Sequence, residues 1–264
     1  MKQNEYLPFR SEILQVIRHT EIEYTFRMAY EGEVKPGQFF EVSIPKYGEA
    51  PISVSGVREG SVDLTIRRVG KVTNEVFERY EGDCLFMRGP YGNGFDVTLF
   101  EGKELLVVAG GTGVSPVRGV IEYFAGNMDK ARKVTVIAGF KSPDDILFRD
   151  DFKRWESRLD VILTVDCAPQ GSGLRTGLVT KYIPEIKFET LSNAAAIVVG
   201  PPVMMKFASL ELLKAGLKEE QIWISHERKM CCGIGKCGHC KMDDVYVCLD
   251  GPVFNYSKGS RLLD

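Results

Sequence analysis

Five of the seven cysteines fall between positions 231 and 248, and that crowding constrains the chain more than any other feature. The zone around them, residues 225–264, is rich in glycine and cysteine and too short to bury a core of its own. A bound metal centre would explain how such a segment folds. Cys232, Cys237, Cys240 and Cys248 spell C-x4-C-x2-C-x7-C. The opening intervals are those of the plant-type [2Fe–2S] loop. Such a loop must bring thiolates to one centre while its amides point at the sulfides. Gly233, Gly235 and Gly238 permit that backbone, because glycine adopts φ > 0 without steric cost.

Rival readings fare less well on spacing. A zinc ribbon offers two C-x2-C knuckles, and only Cys237/Cys240 qualifies. Cys237-Gly238-His239 hints at a Rieske centre, but no second histidine follows position 239. A thioredoxin-like dithiol at Cys237/Cys240 lacks a surrounding redox βαβ pattern. Cys231 could replace Cys232 with a five-residue gap, although the four-residue gap suits the loop better. The spacing therefore favours [2Fe–2S], with zinc as the alternative. Cys84 and Cys167 stand alone in strand-like stretches.

The remaining 224 residues before this tail allow two ordinary domains. Apolar residues at 44% and charged residues at 27% are those of a globular chain with a sizeable core. A net charge of −2 favours neither nucleic acid nor an anionic membrane as partner. The start, MKQNEYLPFRSE, shows no apolar core of a secretory signal, and no apolar run approaches a membrane span. The expected location is cytoplasmic, where reduced cysteines serve metal or redox chemistry.

Residues 1–100 read as short β-branched strands broken by turns: Ile13–Ile17, Tyr24–Tyr30, Gln38–Ile44, Ile52–Val57, Val62–Val69 and Cys84–Arg88. One helix, Thr73–Tyr80, sets Val76, Phe77 and Tyr80 on one face. This pattern predicts a small antiparallel barrel. Residues 101–224 alternate instead. Strands are expected at Leu105–Ala109, Val134–Phe140, Asp160–Val165, Ala195–Val199 and Gln221–Ile224. Helices are expected at Val117–Ala125, from Ser142 to Asp145 onward, near Leu178–Ile183 and at Val203–Ala215. Continuous apolar strands alternating with helices predict a doubly wound parallel sheet.

Leu105–Ala109 runs into Gly110-Gly111-Thr112-Gly113-Val114-Ser115-Pro116 and then a helix. Such a junction aims bare amides and a helix N-terminus at one spot, which suits a phosphate. The string is not a full G-x-G-x-x-G, and a plain tight turn reads equally well from it alone. Gly200-Pro201-Pro202, at the end of a later strand, supports a dinucleotide site, since open parallel sheets bind ligands there. In the barrel half, Val69-Gly70-Lys71-Val72-Thr73 precedes the helix. Thr73 could cap it, and Arg67, Arg68 and Lys71 add positive charge. The alternative is a solvated turn with ordinary surface basics. Arg88-Gly89-Pro90-Tyr91-Gly92-Asn93-Gly94 reads as a joint between halves, with Tyr91 either stacking on a flat ligand or packing an interface. No acid–base or nucleophile motif occurs, which fits chemistry carried by cofactors and no protein catalytic residue.

Pro51-Ile52-Ser53, Gly70-Lys71-Val72-Thr73, Gly110-Gly111-Thr112-Gly113 and Gly200-Pro201-Pro202 occur in the order seen in ferredoxin–NADP reductase-type flavoproteins, which the chain resembles end to end. The tail, CGIGKCGHC with VCLDGPVF, is similar to that of dihydroorotate dehydrogenase B electron-transfer subunits. The strings GEAPISVS, VGKVT, RGPYGNG, VVAGGTGVSPV, CGHCKM and VYVCLDGPVFNY look most like the B subunits of anaerobic sulfite reductases. The resemblance implies an FAD-binding barrel, an NAD(P)-binding domain and a [2Fe–2S] tail. It places Pro51, Ile52, Ser53 and Val54 along the flavin, Ile66, Arg67 and Arg68 against the flavin nucleotide, and Val72 and Thr73 at its pyrophosphate, next to Gly70, which permits close approach, and Lys71, which adds charge. Gly110, Gly111, Thr112, Gly113, Pro116, Gly200 and Pro201 would hold NADH. NADPH is the alternative, disfavoured because no compact Arg/Lys/Ser cluster follows Val134–Phe140 or Asp160–Val165. Cys232, Cys237, Cys240 and Cys248 would hold the cluster, and the implied partners are iron–sulfur and sirohaem subunits. Two departures stand out. Ala50 occupies the place of an arginine that grips the flavin phosphate, and Val199 that of a cysteine near the nicotinamide. A dihydroorotate dehydrogenase or sulfur-reducing hydrogenase partner, or a nucleotide-sensing module with a zinc tail, are the competing functions.

Overall fold

The computed structural model describes residues 4–79, 84–169 and 171–262. The chain divides into two compact units, Met1–Phe95 with Glu227–Pro252, and Asp96–His226 with Val253–Asp264. The cysteine-rich stretch thus belongs with the first unit, and the last residues return to the second.

In the first unit, β1 (Phe9–Arg18), β2 (Glu23–Ala29), β3 (Phe39–Ile44), β4 (Gly48–Arg58), β5 (Ser61–Arg67) and β6 (Cys84–Tyr91) close an antiparallel barrel in the order β1-β2-β5-β4-β3-β6. Alternation selects the faces. Phe26, Met28, Phe40, Val42, Leu64, Ile66 and Met87 fill the interior. One helix, α1 (Lys71–Arg79), covers an end with Val76 and Phe77 against that core. Tyr80, expected on the same face, lies outside the described residues. Of residues 88–94, expected as a joint, 88–91 are the end of β6, while 92–94 lead to the division between the units after Phe95; Tyr91 is buried with its ring 5.7 Å from that of Phe39. A short hairpin, β13 (Lys241–Met242) with β14 (Val245–Tyr246), links two cysteines of the tail.

The second unit is a sheet ordered β10-β9-β8-β7-β11-β12-β15, built from β7 (Glu104–Gly110), β8 (Lys133–Phe140), β9 (Asp160–Val165), β10 (Arg175–Thr176), β11 (Ala194–Val199), β12 (Ile222–Ser225) and β15 (Val253–Asn255). All neighbours are parallel except β12 and β15. Strands β7 and β11 are buried at every residue, as continuous apolar runs demand when both faces are covered. The covering helices are α2 (Val114–Gly126), α3 (Arg149–Glu156) and α4 (Pro202–Lys214).

Two expected helices are absent as such. Pro143–Asp145 is a single 3-10 turn, and the α-helix begins only at Arg149. Residues 179–185 form two separate 3-10 turns, because Pro184 withholds the amide a continuing helix would need. The short strand β15 adds an antiparallel edge that three residues could not announce. Among the described residues, no helix is long and apolar enough to cross a membrane.

Candidate functional site

In the cysteine loop, Gly233, Gly235 and Gly238 adopt φ of 76°, 70° and 82°, the left-handed values expected of them. These turns aim amides at sulfur. Lys236 N and Cys237 N lie 3.3 and 3.4 Å from Cys232 Sγ, Gly235 N lies 3.2 Å from Cys248 Sγ, and Cys248 N lies 3.5 Å from Cys240 Sγ. The Cys237 side chain hydrogen-bonds Cys232 and the Cys240 side chain hydrogen-bonds Cys248, and charge on Cys232 also acts on Cys248. Among the described residues, no three His, Cys, Asp or Glu side chains converge as they would around a single ion. Cys232, Cys240 and Cys248 are buried, while Cys237 is exposed. Cys231 is exposed as well and accepts none of these amides, so Cys232 is the better-placed neighbour.

Burial works to raise the Cys232 thiol, but the amides of Ile234, Lys236 and Cys237 outweigh it and bring the thiol down to about 6. Burial and the Cys240 side chain push Cys248 up to about 12. Amides donating to the Cys232 sulfur favour its thiolate, the form that ligates a metal.

Sequence reasoning missed what holds this loop on the barrel. Arg88 on β6 is 3% exposed. It meets Glu49 of β4 through Nε and Nη2 at 2.9 and 2.6 Å. Its remaining N–H groups reach the carbonyls of Cys232 and Cys231 at 2.6 and 2.5 Å and Tyr91 Oη at 3.1 Å. Burial opposes the guanidinium charge, and the bonds to Glu49 and Tyr91 outweigh it, so the group stays charged. Glu41, directly across the β3–β6 ladder from Arg88, is fully buried with neither carboxyl oxygen hydrogen-bonded. No local pattern signals this cluster, because its members are distant in sequence.

On β4, Pro51 pairs with Glu41 and Ser53 with Phe39 on the outer face. Ile52 and Val54 pack into the barrel, as does Ile66, so their side chains are committed to the core. Arg67 pairs with Glu23 and Arg68 with Glu78. Lys71 lies over the Tyr47 ring at 5.7 Å. Thr73 is not the residue before the helix but the third residue within it. Its Oγ1 reaches back to accept from Val69 N and Gly70 N at 3.0 and 2.9 Å. The helical ladder starts with Asn74 N on Gly70 O, which leaves the Lys71, Val72 and Thr73 amides without partners in that ladder, as an anion at a helix start requires.

In the second unit, the order β9-β8-β7-β11-β12 puts a topological switch point between β7 and β11. Gly110–Gly113 leaves one strand there and Gly200 the other. The approach is close: a Cβ on Gly113 would lie 2.5 Å from Val199 O, and one on Gly110 would lie 2.4 Å from Met204 Sδ. Ser115 Oγ, at the start of α2, is buried with no hydrogen-bond partner. Pro116 is buried in the same turn. The glycines thus let the exit of β7 pack directly on the end of β11 and on Met204 of α4.

Residues 107–210 match the family model of the oxidoreductase NAD-binding domain. Residues 227–258 match that of the iron-sulfur cluster binding domain of dihydroorotate dehydrogenase B. The gamma subunit of sulfhydrogenase 2 from Pyrococcus furiosus is 37% identical over 96% of this chain and 96% of its own. The probable dihydroorotate dehydrogenase B (NAD(+)) electron transfer subunit of Thermococcus kodakarensis is 35% identical over 90% and 92%. The solved NADH-dependent reduced ferredoxin–NADP oxidoreductase superposes with a TM-score of 0.78 at 26% identity, over 94% of this chain and 88% of that one.

A closed barrel, a switch-point sheet and a four-thiol loop define a ferredoxin–NADP reductase-like flavoprotein with an iron–sulfur domain. Within that class, the chain belongs to the family of the sulfhydrogenase gamma and dihydroorotate dehydrogenase B electron-transfer subunits.

Proposed function

We infer that this chain oxidises NADH, or NADPH, through FAD and delivers single electrons through a [2Fe–2S] cluster to a partner reductase. The observation that carries this is the C-x4-C-x2-C loop of residues 232–240, whose left-handed glycines turn the Gly235, Lys236 and Cys237 amides onto cysteine sulfur. The spacing of Cys232, Cys237, Cys240 and Cys248, with one C-x2-C rather than the two of a zinc ribbon, favours two irons over one tetrahedral ion. When bound, flavin and cluster supply the redox chemistry, dividing a two-electron hydride into single electrons.

The protein's own part is positional. Gly110–Gly113 and the turn at Gly200 and Pro201 bring backbone close to the dinucleotide. Pro51 and Ser53 present the outer face of β4 to the flavin. Gly70, Lys71, Val72 and Thr73 offer amides and one cation to its pyrophosphate, with Arg67 and Arg68 nearby on β5 and its exit. The Lys236, Cys237 and Gly235 amides stabilise charge on cluster sulfur.

For the partner, the end-to-end strings and the short Cys240–Cys248 interval favour an iron–sulfur subunit feeding a sirohaem subunit that reduces sulfite, in the cytoplasm. The second reading is a sulfur-reducing hydrogenase, supported by 37% identity to sulfhydrogenase gamma subunits. Purifying the chain with its native partners decides between them. The Cys240→Ser variant tests the electron order: it should lower NADH-driven reduction of the partner far more than NADH-driven reduction of a dye. Equal loss of both, with flavin still bound, overturns that order.

A further inference from the structure

Arg88 has five N–H groups, and all five are engaged. Two hold the carboxylate of Glu49, two hold the successive carbonyls of Cys231 and Cys232, and one meets Tyr91. Glu49 lies two residues before Pro51, where the stretch of β4 assigned above to the flavin begins. The Arg88 guanidinium is therefore one rigid link between the flavin strand and the first cysteine of the loop. Tyr91 extends the link. Its hydroxyl donates to Glu5 O at 2.5 Å, and its ring fills the place where a Cβ on Gly233 would fall, 2.7 Å from Cδ2.

The consequences reach the sulfur. With the carbonyls of Cys231 and Cys232 pinned to the barrel, the chain must turn at Gly233 and Gly235. That turn presents the Lys236 and Cys237 amides to Cys232 Sγ. A planar five-donor fork does this, and an ammonium with three donors cannot reproduce it.

Building on the function inferred above, we propose that Arg88, held by Glu49, is the positioning residue that fixes the Cys232 corner of the cluster relative to the flavin strand. Single-electron transfer between two centres falls steeply with their separation, so a link that fixes separation governs the rate. Each hydride brings two electrons, which leave one at a time to two one-electron acceptors. Arg88 takes no proton or electron in that sequence. It holds the geometry.

The test uses the purified holoprotein with Arg88→Lys, which keeps the charge, and Glu49→Gln, which keeps Arg88 but weakens its anchor. Three quantities are read: iron per chain, the electron paramagnetic resonance spectrum of the reduced protein, and the ratio of cluster to flavin bleaching rates after mixing with NADH. Partners of metal ligands of this kind contribute about 10–100-fold. Arg88→Lys should lower the bleaching ratio by about that factor and broaden the resonance spectrum, with Glu49→Gln changing both in the same direction. Wild-type ratio and spectrum in both variants overturn the proposal. Absence of any iron–sulfur signal in the unmodified protein would instead overturn the underlying function, so the two failures are distinguishable. If Arg88→Lys yields no folded protein, Glu49→Gln decides by the same readings.

Discussion

Glu41 is a carboxylate placed where a carboxylate is unstable, and its removal should show as a pH-dependent gain in stability. The side chain is fully buried and neither oxygen has a hydrogen-bond partner. Burial raises its pKa from 4.5 to about 7, with Glu49 and Cys232 adding to the rise and Arg88 opposing it. The folded state therefore keeps a proton that the unfolded chain has already released. Between pH 4.5 and about 7 the native state binds the extra proton, so stability falls as pH rises through that window. Over the whole window the loss amounts to about 3 kcal/mol. Glu41→Gln cannot titrate. Burying its amide costs free energy, but equally at every pH. The difference in melting temperature between variant and wild type should thus move in favour of the variant from pH 5 to pH 8, by on the order of 10 °C. Anaerobic thermal unfolding at the two pH values is the assay. A difference that stays constant between them would refute the burial argument.

Two further perturbations follow from the geometry. Gly113→Ala forces a Cβ to 2.5 Å from Val199 O, so it should destabilise the second unit by about 1–3 kcal/mol and weaken NADH binding, measured by melting and titration. Lys71 is the basic residue at the start of α1, while Arg67 and Arg68 pair with acids, so Lys71→Met should speed FAD loss and flatten its salt dependence. Unchanged FAD release would return the phosphate to another group.

Where a segment's periodicity matched its burial, the sequence was legible. Asp160–Val165 is a strand over the whole expected span, and the barrel strands were each found within a few residues. Helix expectations failed at 142–145 and 178–183, where turn residues and Pro184 stop a ladder that apolar spacing alone would continue. The iron–sulfur character of the tail was legible because cysteine spacing is local, and residues 227–258 match an iron-sulfur cluster binding domain. Arg88 was not: its partners are Glu49 and the carbonyls of Cys231 and Cys232, which lie 39, 143 and 144 residues away. Carbonyl acceptors carry no residue signature at all. Val54 and Ile66 were placed with the flavin by resemblance, and only the folded barrel shows their side chains pointing inward.

The most direct measurement is the iron, sulfide and zinc content of anaerobically purified protein, read beside its spectrum after dithionite. Two irons and two sulfides per chain, with a paramagnetic signal appearing on reduction, are the expected result. One zinc, no iron and no signal would leave the four thiols holding a redox-silent ion, and the proposed electron path would be wrong.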